Sequence, residues 1–465
     1  MSGRSVLIPS QEPIRLYNTA CILICLEGMM TEQVESQVPD NIPPRWLRNY
    51  LPMWIGQAVS LLGSGLVQFA LVWYMTQKTG SATVLAMATF VALLPRVLLG
   101  PFAGALVDRL NRKAIMIISD TAVALATFAL VVLFHLGITQ IWHIYVVLFV
   151  RSLCGSFQYP AMQASTSLMV PREHFARLGG INQAMYGVID IVSPPLGALL
   201  ISVLAMQAVL AIDLVTAAVA ILLLALFVHV PQPASAQHAE AITPKRMLQD
   251  VRFGLKYAVG WSGLFKVMVM ASLINMLASP AFSLLPLMVT KVYGKGAAEV
   301  AWLESALGLG IVAGGLLLGV WGGFKRKTAT TLTGLVGMGV GISVLGLTNR
   351  ETYLLAVGMM ALVGLMNALA NGALGAIMQT KIPPDMQGRI FTVIGSLSSA
   401  ASPIGMLLAA PVAERLGIRA WYLIAGVFCA AMGIYGFLKR DVYTLDEQEP
   451  GGKVKAAASP AEETR

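Results

Sequence analysis

Apolar runs long enough to cross a bilayer recur along the chain at about 49–75, 82–107, 114–134, 142–169, 175–202, 205–230, 262–290, 297–323, 328–348, 353–379, 386–412 and 419–438. A helix needs about 20 apolar residues to span the hydrocarbon core, so several runs have length to spare for tilt or extension. In lipid a single segment satisfies its own backbone only as a helix. The pattern therefore predicts an all-α membrane protein with twelve transmembrane helices. The longest polar break, 231–261, opens on Pro231-Gln232-Pro233. It continues into a stretch where Lys245, Arg246, Arg252 and Lys256 oppose Met247, Val251, Leu255 and Ala258. That spacing predicts a linker followed by an amphipathic surface helix. It separates a six-helix bundle over 46–230 from a second over 262–438, with an N-terminal segment 1–45 and a tail 439–465. The apolar piece Ala20–Leu26 is short and is followed by Glu27, Glu32 and Glu35, so 1–45 does not read as a cleaved signal. Residues 1–28 match nothing else in the pattern, and a translation start at Met29 or Met30 is the expectation.

The break between the second and third runs is short and charged. Gly104-Ala105-Leu106-Val107-Asp108-Arg109-Leu110-Asn111-Arg112-Lys113 sets one carboxylate among three cations. Hydrocarbon does not solvate such a cluster, so the chain surfaces here and turns back. Gly104 permits close approach of a neighbouring helix. Asn111 tolerates the left-handed backbone of a tight reversal, and Asp108 is spaced to pair with Arg112. Placing the N-terminus inside assigns eighteen Lys and Arg to the inner segments and six to the outer. Both termini are therefore expected on the cytoplasmic side.

The two bundles repeat each other. Ser193-Pro194-Pro195-Leu196-Gly197 returns as Ser402-Pro403-Ile404-Gly405, and Lys325-Arg326-Lys327 echoes the 108–113 turn without its Asp. The turn pattern G-x-x-x-D-R-x-x-R-K resembles the signature between helices 2 and 3 of the major facilitator superfamily, with Asn111 in place of the usual Gly. Further pieces are Trp54–Leu61, Thr79-Gly80-Ser81-Ala82, Leu148–Ser152, Ala211-Ile212-Asp213, Gly314–Gly319 and Gly388-Arg389-Ile390-Phe391. Together they make 46–440 similar to the macrolide-efflux branch of that superfamily. The resemblance implies two pseudo-repeats rocking about a midplane site. It implies a gate built from Gly104, Asp108, Arg109, Arg112 and Lys113, with Asp108 facing the start of helix 11. It also implies a cavity lined from helices 1, 4, 7 and 10, for which the candidates are Gln57, Gln68, Gln158, Tyr159, Asn275, Met276, Asn367 and Asn371.

Only 12% of the 465 residues are charged and 57% are hydrophobic, about half the charge of a soluble domain. The net charge of +9 fits inner loops facing anionic lipid rather than nucleic acid, since no basic patch interleaved with aromatics lies outside the runs. Cys21, Cys25, Cys154 and Cys429 lack the further ligands of a metal site. Ionisable groups inside the runs are costly and call for a partner or a purpose. Asp190 and Arg151 are the expected proton-coupling pair, with Arg96 as a second counter-ion and Glu304 as a further acid. By resemblance, Arg151 matches an Arg linked to proton movement on helix 4 of drug antiporters. Asp120 is expected to brace the 108–113 turn, and Asp213 to pack helix 6. The second-half turn at Lys325 and Arg326 is expected to tolerate change. The 24 methionines suit adaptable apolar binding.

No HExxH, GxSxG or phosphate-binding loop occurs, so neither an enzyme, a cofactor nor ATP drive is expected. The expectation is a monomeric, proton-coupled exporter of small amphipathic compounds in the plasma (inner) membrane. Alternatives within the fold are a siderophore exporter or a lysophospholipid mover. A non-transporting sensor or scaffold is the alternative of another class.

Overall fold

The structure, a computed structural model, describes residues 46–107, 110–171, 174–230, 259–382 and 384–448, except the side chains of 100–102, 104–105, 176–177, 384–389, 391–394 and 396–397. The expected N-terminal segment 1–45, most of the linker 231–261 and the end of the tail lie outside the described residues. By its contacts the chain separates into Met1–Pro44 and Arg45–Arg465, and every helix below belongs to the second unit.

Among the described residues, twelve long helices follow the apolar runs: α1 (Trp46–Thr79), α2 (Ala82–Val107), α3 (Arg112–His135), α4 (Ile141–Met169), α5 (Phe175–Val203), α6 (Met206–Phe227), α7 (Ser262–Ser283), α8 (Ala297–Trp321), α9 (Lys327–Leu347), α10 (Tyr353–Lys381), α11 (Pro384–Arg415) and α12 (Ile418–Leu438). Eleven helices among the described residues are long and apolar enough to cross a membrane. Most outrun the apolar core, and α1, at 34 residues, is about 51 Å long. The seventh run departs from expectation. It is not one helix to residue 290: α7 stops at Ser283, a single turn Leu285–Met288 follows, and a π turn over Val289–Tyr293 ends it. Pro286 lacks the amide that a continuous helix would require there. A short helix, α13 (Arg440–Tyr443), follows α12. Its Asp441 takes the Lys266 ammonium at 2.5 Å and the Ser262 hydroxyl at 3.2 Å from α7. Lys266 holds the Asp441 carboxyl below the usual carboxylate range.

The packing follows a two-fold plan. Contacts of α1 with α5 and α6, α2 with α4, α3 with α4, and α3 with α6 are matched by α7 with α11 and α12, α8 with α10, α9 with α10, and α9 with α12. The halves meet through α2 against α11 and α5 against α8. Glycines set the closest crossings. A Cβ on Gly364 of α10 would lie 2.1 Å from the Leu307 carbonyl oxygen of α8, and one on Gly310 would lie 2.1 Å from that of Ala361.

The buried core shows where the halves join. One cluster draws on both, with Val67, Leu71, Met75 and Leu85 beside Leu284, Leu287, Met288 and Trp421. These residues lie toward the end that carries the α1–α2 turn. Toward the α2–α3 end the core divides. Tyr50, Met53, Val107, Met116 and Met162 form a first-half cluster, and Trp261, Leu264, Ile377, Ile382 and Ile390 form a second-half one. The halves are thus sealed together at one end and packed separately at the other.

Candidate functional site

The first half holds two buried carboxylates in one polar layer. Asp213 of α6 is 2% exposed and takes Arg151 Nη1 of α4 at 2.6 Å. The Ser64 hydroxyl of α1 and the Thr127 hydroxyl of α3 also donate to it, each at 3.2 Å. Arg151 donates in addition to the Ser64 carbonyl at 3.3 Å. The pair therefore ties four helices together. This corrects the expectation for Arg151, whose partner is Asp213 and not Asp190. It also corrects Asp213, which is an ion-pair partner rather than a passive packing residue. Sequence spacing cannot see a contact between residues 62 positions apart.

Asp120 of α3 is 3% exposed and takes neutral donors: Gln57 Nε2 at 3.1 Å and Gln158 Nε2 at 2.5 Å. Gln158 Nε2 also reaches Gln57 Oε1 at 2.9 Å. Asp120 thus joins α1, α3 and α4 instead of bracing the α2–α3 turn. The same bonds correct the cavity assignments of Gln57 and Gln158. Gln57 is 2% exposed, and both carboxamides are turned onto Asp120.

Two of the cavities are lined by candidate site residues. One, of about 410 Å³, lies between the halves and is walled by Gln68, Phe69 and Trp73 of α1, Leu85 to Leu93 of α2, Asp190 and Ser193 of α5, Phe282 of α7, and Glu304 of α8. It brings Asp190 and Glu304 to one space from opposite halves. The next residue along each helix joins them, since Ser305 Oγ donates to the Ile191 carbonyl at 3.1 Å. Arg96 continues the α2 stripe one turn beyond Leu93 and is exposed. It does not line the Asp190 cavity, which corrects its role as counter-ion to that acid. A second cavity, of about 360 Å³, lies among α7, α9 and α10 and is lined by Asn275, Asn367, Asn371, Met270 and Met338. Asn371 Nδ2 donates to the Asn367 backbone carbonyl at 3.0 Å and to its Oδ1 at 3.3 Å, which holds the two side-chain amides together. Tyr159 is 53% exposed, accepts from Gln163 at 3.1 Å and has its ring 6.4 Å from that of Tyr186. Met276 lies where α7 crosses α11, its backbone against Gly405, and it lines neither cavity.

At the α2–α3 turn, Asp108 and Arg109 lie outside the described residues, and Gly104 falls within α2. Arg112 is 9% exposed and donates to the Ala164 carbonyl of α4 at 2.7 Å. Lys113 donates to the Ala225 carbonyl of α6 at 3.0 Å. Asn111 is not left-handed: its φ is −66°, and its side chain caps α3 by accepting from the Ala114 amide at 3.1 Å. In the equivalent α8–α9 turn, Arg326 pairs with Glu447 at 2.8 Å and lies 4.8 Å over the Tyr443 ring, and Lys327 reaches the Gly322 carbonyl. Arg326 is therefore more committed than its resemblance to a spare basic turn suggests.

One residue of interest was missed altogether. Glu414, at the α1–α2 end of α11, takes Ser81, which precedes α2, and Thr83 of α2; its sequence signal is the pair of hydroxyls following Thr79-Gly80. Cys154 and Cys429 are free thiols. Among the described residues no three His, Cys, Asp or Glu side chains converge to hold a metal ion.

Known proteins are similar to this chain in sequence and in fold. The Major Facilitator Superfamily profile matches residues 53–402 and 267–463. Macrolide efflux protein A of Streptococcus pyogenes is 32% identical over 401 residues, covering 86% of this chain and 98% of its own. Multidrug efflux pump Tap of Mycolicibacterium fortuitum is 27% identical, covering 81% and 92%. In fold, a mutant of the nucleoside transporter NupG superposes with a TM-score of 0.65 at 13% identity, covering 83% of this chain and 98% of its own.

Proposed function

The chain belongs to the major facilitator superfamily, and from that premise we propose that it is a proton-coupled exporter of small amphipathic compounds, macrolide-like drugs among them, working by alternating access. The observation that carries this is the cavity between the halves. Its walls are apolar, its polar groups are few, and two carboxylates from opposite halves, Asp190 and Glu304, face it. An apolar chamber with sparse polar groups suits amphipathic ligands. Carboxylates at the seam suit a proton that biases one packing of the halves over the other. The sealed α1–α2 end and the divided α2–α3 end describe one of the two arrangements such a cycle needs.

With the Lys and Arg excess facing the cytoplasm, both termini and 231–261 are inside, and this arrangement opens inward. Cys introduced at Ser235 is then shielded from an impermeant thiol reagent in intact cells; labelling would reverse the orientation. Gln68, Asn275, Asn367, Asn371 and Tyr159 are the proposed substrate contacts. Gln57 and Gln158 act by holding Asp120. Gly104, Asp108, Arg109, Arg112 and Lys113 form the inner gate, shut when the outer side opens.

The substrate is tested by accumulation in cells expressing the chain, with macrolides, siderophores and lysolipids side by side. Macrolide accumulation should fall on expression and recover in the Glu304→Gln variant. Unchanged macrolide levels with a shift in lysolipid or siderophore would replace the substrate class.

A further inference from the structure

We propose that Glu414 is the latch of the outer gate, a gating residue that holds the α1–α2 end shut by capping α2 from the opposite half. The Glu414 carboxylate sits at the C-terminal end of α11 and accepts three hydrogen bonds from the start of α2. They come from Thr83 Oγ1 at 2.7 Å, Ser81 Oγ at 3.0 Å and the Thr83 amide at 3.2 Å. The first amides of a helix have no partner inside it and carry partial positive charge. A carboxylate is the natural cap for them, and here the cap is supplied in trans across the seam. Ala86, one turn further along α2, packs directly beneath against Met406 and Ala410 of α11, and all three are buried. The polar contact thus lies over an apolar plug, and neither survives a separation of α2 from α11. The latch also accounts for Thr79-Gly80-Ser81-Ala82. Gly80 turns the chain at φ +57°, and Ser81 then presents its hydroxyl to the other half. Carboxylates therefore follow the same logic in sequence at both ends of the α2/α11 pair, with Asp108 just after α2 and Glu414 closing α11.

The latch rests on alternating access, but its test does not need transport. Purified full-length protein in lipid nanodiscs, with Cys21, Cys25, Cys154 and Cys429 changed to Ser, carries Ala86→Cys as reporter. Ala86 is 3% exposed, so the thiol reacts with a soluble maleimide only when α2 and α11 part. Glu414→Ala should raise the labelling rate about tenfold, the scale of losing hydrogen bonds to a charged group. Ser81→Ala with Thr83→Val leaves only the Thr83 amide and should give a smaller rise in the same direction. It carries the test by itself if Glu414→Ala fails to fold. Adding the hydroxyl changes to Glu414→Ala should bring no further rise, because both act through one contact. Rates within about twofold of the parent in both variants, or fully additive effects, would overturn the latch. A protein that moves no substrate yet shows the acceleration keeps the latch and loses export.

Discussion

At the scale of single residues, the polar layer of the first half sets the Arg151 cation against two buried carboxylates. Arg151 is committed to Asp213, and Asp120 is held by carboxamides alone. Breaking a buried pair strands a charge, at a cost of about 3–5 kcal/mol, whereas replacing both members with apolar residues can be neutral. Arg151→Ala and Asp213→Asn should each lower the thermal unfolding midpoint in detergent. Arg151→Met combined with Asp213→Leu should recover most of the loss; a double variant as unstable as the worse single would show that the pair is not the unit. Gln158→Leu removes donors from Asp120 and should cost about 1–3 kcal/mol in the same assay. Glu414, past the apolar stretch of α11, has its carboxyl held below the ordinary glutamate range by Thr83 and Ser81, with a smaller push from Lys291. Arg419 of α12 lines one groove with Glu414 and Lys291, and Arg415 follows Glu414 on its own helix. The bonded, ionised form is favoured above the ordinary glutamate pKa of about 4.3 and lost as pH falls through the depressed value. Labelling of Ala86→Cys, divided at each pH by the rate of a fully exposed cysteine because only the thiolate reacts, should therefore stay flat on acidification to about pH 5 and rise only below the ordinary glutamate pKa of about 4.3; a rise nearer neutrality would place the responsible group elsewhere. Arg96, Asp120, Arg151, Asp190, Asp213 and Glu304 were visible in the sequence as anomalies inside apolar runs, whereas Lys266 was not. Their partners were not visible, because Arg151 to Asp213 and Gln57 to Asp120 are contacts between helices whose rotation about their axes hydropathy does not fix.

Among the elements, number and order were legible because about 20 apolar residues have one way to cross lipid. The end of α7 was not, since residues 284–289 stay apolar while Pro286 interrupts the hydrogen-bond ladder. The α8/α10 crossing was half legible: the glycines of 314–319 stood out, but which of them faces a neighbour did not. Gly314 would drive a Cβ to 2.5 Å from the Leu365 carbonyl oxygen, whereas Gly315 and Gly319 look into open space. Gly364→Val should cost about 1–3 kcal/mol by overpacking or forcing α8 and α10 apart, and Gly319→Ala should leave the unfolding midpoint unmoved. Equal effects at the two positions would contradict the close crossing. The repeat Ser193-Pro194 and Ser402-Pro403 corresponds to matching helices: Gly197 of α5 meets Phe69 of α1, and Gly405 of α11 meets Met276 of α7.

For the whole molecule, one core spans both halves at the α1–α2 end and two cores stand apart at the other. The seam is carried by α2 with α11 and α5 with α8, so the proposed alternating-access cycle would break and remake these contacts while each half keeps its own packing. The two-fold plan could be read from repeated motifs, but which end is sealed could not. That balance is set by a few contacts across the seam, such as Ser305 to Ile191 and Thr83 to Glu414, rather than by composition. The proposed function turns on proton-driven movement of substrate through the cavity between Asp190 and Glu304. It is tested most directly with purified protein in proteoliposomes, a macrolide at equal concentration on both sides, and an imposed pH gradient. The protein should concentrate the macrolide against the proton flux, and Asp190→Asn should abolish that accumulation while macrolide still raises the unfolding midpoint of the variant. Accumulation that ignores the gradient, or that survives Asp190→Asn undiminished, would contradict coupling at this cavity.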